Sequence, residues 1–166
     1  MEGNILQRFF EHNLWANLQM LQACSSLTDE QLDAEPQSAT KGTIRLTLTH
    51  LVESEQGYLS DLTGVKSRFD PETSPSFSEL QSFLSDSGER FLALAKDELN
   101  ERLSTQVHTE DGYTIEPWAL MLQAINHATE HREQIKSMLT ALGVKPPRVD
   151  GWAYAKLNNA LIAPPK

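Results

Sequence analysis

The chain has 166 residues, and 14 Lys+Arg against 23 Asp+Glu leave a net charge of −9. That length fits a single domain over residues 1–166, long enough to bury a sizeable core, and a composition of 39% apolar and 22% charged residues is globular rather than disordered. The acidic balance, with no basic cluster, argues against nucleic acid as a partner. No apolar run is long enough to span a membrane, the N-terminus lacks the pattern of a signal peptide, and the lone Cys24 cannot close an internal disulfide. An acidic cytoplasmic protein is the expectation.

Apolar residues recur at three- and four-residue spacing from about Asn4 to Cys24 (Ile5, Leu6, Phe9, Phe10, Trp15, Leu18, Leu21), which predicts a first long helix. Thr28 and Gln31 form a capping-box pattern, so a short helix is expected before Pro36. A second long helix should start after Thr43, whose hydroxyl can cap it, and stop at Gly64. Pro71 and Pro75 mark the following stretch as a loop. A second capping box, Ser76 to Glu79, opens a third long helix carrying Leu80, Phe83, Leu84, Phe91, Leu94 and Leu99.

Two short alternating runs, Thr105–Thr109 and Tyr113–Ile115, flank Asp111-Gly112 and read as a β-hairpin. Pro117 suits the first position of a fourth long helix ending at Gly143, and a short last helix is expected from about Asp150 to Leu161. Four helices with one apolar face each predict an all-α four-helix bundle, with room for crossover connections. Trp15, Trp118 and Trp152 read as packing anchors, and Cys24 as a buried thiol.

The residues that point to chemistry are histidines. His127 and His131 stand one helical turn apart and so reach toward one point, along a stripe with Leu120, Ala124 and Met138. His50 lies within the second long helix near Leu46 and Leu51. Three imidazoles from two inward-facing helices would form a three-histidine metal site with coordination positions left for water or substrate. A zincin requires a glutamate directly after its first histidine, and Ala128 stands there; di-iron bundles require Glu-x-x-His, and Thr47, Ala124 and Ala128 stand at those positions. What remains is a mononuclear, histidine-rich site suited to zinc, nickel or iron.

Around the triad, Glu53 and Glu130 lie three residues from His50 and His127, as outer acceptors or a general base, or else as solvated carboxylates. Asn126 and Gln134 are candidates to orient a ligand. Arg132 would pair with an acidic neighbour or hold a substrate carboxylate. His12 would pack, line a pocket mouth or add a ligand, and His108 belongs to the hairpin.

Through FFEHNLWAN, TIRLTLTHLVESEQGYL and INHATEHREQIKSMLTALGVKPPRVD, the sequence resembles the DinB/YfiT-like family of metal-binding four-helix bundles over nearly its whole length. The resemblance implies His50, His127 and His131 as the metal triad, a left-handed up-down-down-up bundle, and a homodimer. It also implies a metal-dependent enzyme acting on a small molecule: a transferase or isomerase using a low-molecular-weight thiol, or a hydrolase. The alternative is a non-catalytic bundle with a structural or adventitious metal, acting as a binding or stress-response protein. Phe9, Phe10, Trp15 and Trp118 are the large residues expected to find room in a dimer interface, the alternative being that they fit the monomer core or line the pocket.

Overall fold

The structure is a computed structural model that describes residues 4–36, 42–97, 101–109 and 112–162. Four long helices dominate: α1 (Ile5–Cys24), α3 (Ile44–Thr63), α4 (Phe77–Lys96) and α5 (Pro117–Ala141). Between α1 and α3 lies α2 (Asp29–Leu32), and α6 (Gly151–Leu157) follows α5. Val107–His108 (β1) pairs antiparallel with Thr114–Ile115 (β2). Leu99 and Asp111, expected in the third long helix and the hairpin turn, lie outside the described residues. Among the described residues no helix is long and apolar enough to cross a membrane.

Local chemistry sets the helix ends. Asn4, Thr43 and Asp150 cap α1, α3 and α6 with side-chain oxygens, and capping boxes Thr28/Gln31 and Ser76/Glu79 open α2 and α4. Gly64 ends α3 at φ +70°, a left-handed conformation that a side chain would strain. Pro117 occupies the first turn of α5. The last helix stops four residues short of the expected Leu161, where Asn158 caps it and Asn159 turns left-handed at φ +55°.

The helix directions follow from which halves share a core. One apolar cluster joins Met20 and Leu21 of α1, Leu48 and Leu51 of α3, Leu80 and Leu84 of α4, and Ile135 and Leu139 of α5. The other joins Phe10 and Leu14, Leu59 and Leu62, Phe91 and Leu92, and Leu120 and Met121. Helices α1 and α5 therefore run one way while α3 and α4 run the other, an up-down-down-up order. Packing pairs α1 with α4 and α5, and α3 with α4 and α5, which places α1 opposite α3.

Because α3 and α4 are parallel, the chain between Gly64 and Ser76 must return along a helix of about 30 Å. Its dozen or so residues reach roughly 40 Å when extended, enough for that crossover.

The core is not apolar throughout. Asn13 and Asn17 of α1, Glu55 and Gln56 of α3, Ser87 of α4 and Arg132 of α5 are all buried, and by position they fall between the two apolar clusters. Next to Ser87, Gly88 lets α1 come close: a Cβ there would stand 2.5 Å from Leu14 Cδ1.

Several aromatic expectations are corrected. Phe10 is 1% exposed and stacks on Phe91 at 5.3 Å, fully inside the monomer core. Trp15 does serve as a packing anchor: it packs on the core edge and contacts the rings of His12 and Tyr154. Trp118 and Trp152 do not anchor packing; they are 66% and 68% exposed, because their positions in the first turns of α5 and α6 face outward. Cys24 is buried as expected, and burial pushes its thiol up to about 12, far from a nucleophile's range.

Candidate metal centre

Antiparallel packing of α3 on α5 brings the three histidines together. His127 Nε2 lies 3.2 Å from His50 Nε2 and 3.0 Å from His131 Nε2. The rings meet edge to face, with centroids 5.0 Å (His50–His127), 5.1 Å (His50–His131) and 4.3 Å (His127–His131) apart. Among the described residues, these three form the only cluster of candidate ligands that could share one ion.

The spacing suits a metal. Two nitrogens bound to one ion at about 2.0–2.1 Å stand roughly 2.9–3.4 Å apart, from octahedral to tetrahedral angles. Without an ion the arrangement is awkward. The Nδ1–H of His131 donates to Gln134 Oε1 at 2.8 Å, which leaves a bare lone pair on Nε2 facing His127. His127 cannot satisfy both of its neighbours, and its buried Nδ1 has no partner. Burial, reinforced by the other two imidazoles, lowers His127 to about 4; burial also lowers His131, with the Gln134 bond acting the other way. His127 and His131 are thus held in the neutral form, and the three rings converge, as a divalent transition ion requires.

The triad is shallower than its helical stripe implied. The His50 side chain is 54% exposed, and His127 and His131 are half-buried, so the site lies in the groove between α3 and α5. The stripe with Leu120, Ala124 and Met138 does turn inward, but the imidazoles reach sideways from it toward α3.

Of the surrounding candidates, Glu53 Oε2 sits 3.9 Å from His50 Nδ1, within ion-pair range but too far for a hydrogen bond. Glu130 is exposed and acts on His131 only through its charge. Gln134 Oε1 accepts from His131 Nδ1 at 2.8 Å and so bears on the orientation of that ring. No hydrogen bond links Asn126, which is exposed, to the triad. His12 stands apart: its Nε2 donates to the Val149 carbonyl at 2.8 Å and ties the chain after α5 to α1. His108 bonds across the hairpin to Thr114.

Arg132 departs from its expected ion pair. It points into the bundle, where Nη1 donates to Asn13 Oδ1 and Asn17 Oδ1, each at 2.7 Å, and an Nη2 bond reaches Thr129. Glu55, which the sequence reading passed over, is also inside, and Asn17 Nδ2 donates to its Oε1 at 3.1 Å. The signal was available: Glu55 and Gln56 occupy the slots that Leu51, Val52 and Leu59 mark as the apolar stripe of α3. Tyr58 was also missed. Its ring edges His127 at 6.2 Å, and with Glu53, Lys66 and Phe69 it lines a groove of about 520 Å³ beside the triad.

Fold and site together define a histidine-bearing four-helix bundle of up-down-down-up order. The chain belongs to the DinB family, whose model matches residues 1–164. It is similar in fold to a DinB-like protein from Bacillus cereus ATCC 10987, at 20% identity and a TM-score of 0.66, covering 89% of this chain and 98% of that one. It is also similar to YfiT from Bacillus subtilis, at 20% identity and a TM-score of 0.63, covering 86% of this chain and 92% of that one. That protein is described as "a probable metal-dependent hydrolase with an unusual four-helix bundle topology". No curated protein matches the chain.

Proposed function

We propose that the chain is a metal-dependent enzyme in which His50, His127 and His131 hold one zinc, nickel or iron ion. The observation that carries this reading is the meeting of three imidazole nitrogens, those of His50 and His131 standing 3.2 and 3.0 Å from His127 Nε2 and all three within 4.8 Å of one another, on the outer edge of a bundle and beside a groove. Such an ion supplies Lewis acidity and lowers the pKa of a bound water or thiol toward neutrality. The residues of the chain do the rest. Gln134 fixes the His131 tautomer, Glu53 supplies negative charge beside His50, and Tyr58 and Lys66 face a small molecule lying in the groove. Hydrolysis, which YfiT's description names, and transfer to or from a low-molecular-weight thiol are the two chemistries such a site serves.

Cobalt substitution tests the reading. One equivalent of Co²⁺ should give visible d–d bands, and a thiol that binds the ion should add a charge-transfer band saturating below its solution pKa of about 8.5. Bands that shift with anions or ester substrates but not thiols favour the hydrolase. A cobalt spectrum that no small molecule perturbs leaves a structural or adventitious metal. Failure to bind a stoichiometric ion ends the metal reading.

For assembly, we propose a homodimer. Exposed Ile5 and Phe9 lie near the start of α1, and exposed Trp118 and Leu122 near the start of α5, its parallel neighbour in the bundle. Apolar surface of this kind marks interfaces. Light scattering at micromolar concentration should give twice the chain mass, and a Trp118→Ser/Phe9→Ser variant should run as a monomer with its helical content kept.

A further inference from the structure

The buried polar layer has no explanation in stability alone. A guanidinium and a carboxyl taken out of water cost several kcal/mol each before any pairing, and well-packed apolar residues in their place are often neutral or stabilising. The leucine-rich clusters above and below show that this bundle packs well without such groups. By its position along the helices the layer falls near the depth of the triad, and its connections run between the helices that carry the ligands.

Arg132 follows His131 directly, and successive side chains leave a helix about 100° apart. While His131 turns to the triad, Arg132 turns to α1, where it is 3% exposed and grips Asn13 and Asn17. Asn17 accepts from Arg132 with Oδ1 and donates from Nδ2 to Oε1 of Glu55 on α3, five residues after His50. On the far side of α3, Gln56 Nε2 donates to Ser87 Oγ of α4 at 2.9 Å. Helix α1 supplies no ligand, yet its asparagines hold both ligand-bearing helices, α5 through Arg132 and α3 through Glu55. Apolar contacts leave helix rotation and sliding loosely defined; directional bonds with a planar fork fix both.

We infer that Arg132, Asn17 and Glu55 are positioning residues of the metal centre, setting the rotation and depth of α5 and α3 at which the three imidazole nitrogens converge. The inference rests on the metal reading above for its purpose, but not for its geometry. Neither Arg132 nor Glu55 reaches the reacting face, and Arg132 does not hold substrate.

Two variants separate positioning from bulk stability. Arg132→Lys keeps the charge and loses the two-pronged grip. The combined variant Asn13→Leu/Asn17→Leu/Glu55→Met/Arg132→Met makes the layer apolar. The combined variant should melt at or above the wild-type temperature, yet both should bind Zn²⁺ 10–100-fold more weakly in competition with a chromophoric chelator, the range seen when outer supports of a metal site are lost. In metal-free protein, the nuclear Overhauser contacts between the His50 and His127 rings should weaken in both variants. Wild-type zinc affinity in both, with the ring contacts intact, overturns the inference and leaves a purely structural layer. If wild type itself binds no zinc, the metal reading fails; the ring contacts of the metal-free protein still decide the positioning role, for it if the variants lose them and against it if they persist.

Discussion

Replacing His131 with alanine should abolish stoichiometric metal binding while leaving the helices in place. His131 is tied into the site twice over: it is the ring nearest His127, and its tautomer alone is fixed by a strong neighbouring acceptor, Gln134. Removing it leaves His50 and His127 on different helices, a two-ligand set that a divalent ion in water binds weakly. The loss should exceed the roughly 10–100-fold that an outer partner's removal costs. Gln134→Leu supplies that comparison, since it keeps all three rings and frees only the orientation of His131. The structural cost should be small, because His131 is half-buried and alanine is the best helix former. Elemental analysis of the purified variants, with far-ultraviolet circular dichroism alongside, checks both halves. Retention of one equivalent of metal in His131→Ala would remove the triad from consideration.

Much of the frame could be read from local chemistry. Thr28/Gln31, Ser76/Glu79, Thr43, Gly64 and Pro117 each act within a few residues of themselves, so sequence alone reports them, and they mark helix boundaries to within a residue. The histidine spacing was legible for the same reason: one turn along α5 is a local fact. That His50 joins the pair from α3 depends on how two distant helices slide and rotate, which periodicity does not encode and the family resemblance implies. What periodicity misreported was facing. Trp118 and Trp152 count as apolar in any pattern, yet each sits in the first turn of its helix on the outer side. The reverse error hid the buried layer. Asn13, Asn17, Glu55 and Arg132 are polar letters in core positions, and their presence makes sense only once three helices bring their bonding groups within 2.7–3.1 Å of one another. The DinB-family match and the similarity in fold to the Bacillus proteins support the frame; neither bears on this layer.

Glu55 offers the second large effect, in the pH dependence of stability. Its carboxyl is fully buried, and burial pushes its pKa up to about 8, against the opposing pull of the Asn17 bond and the Arg132 charge. One carboxyl oxygen has no partner, so ionisation would strand charge on it. In the unfolded chain the group titrates near 4.5. Between those values the folded state holds a proton that the unfolded state has released, so this group's contribution to stability is complete below 4.5 and is lost as pH rises toward 8. The limiting slope is about 1.4 kcal/mol per pH unit. Glu55→Gln keeps the shape and the oxygen that Asn17 donates to, but cannot titrate. Urea unfolding at pH 5, 6, 7 and 8 should therefore show wild type losing stability relative to Glu55→Gln, by on the order of 3–4 kcal/mol across the series. Taking the difference between the two proteins cancels the histidines and surface carboxylates, which titrate alike in both. A flat difference, with Glu55→Gln weaker by about 3–5 kcal/mol at every pH, would instead mean that Glu55 is ionised in the fold and serves Arg132 as a buried counter-charge.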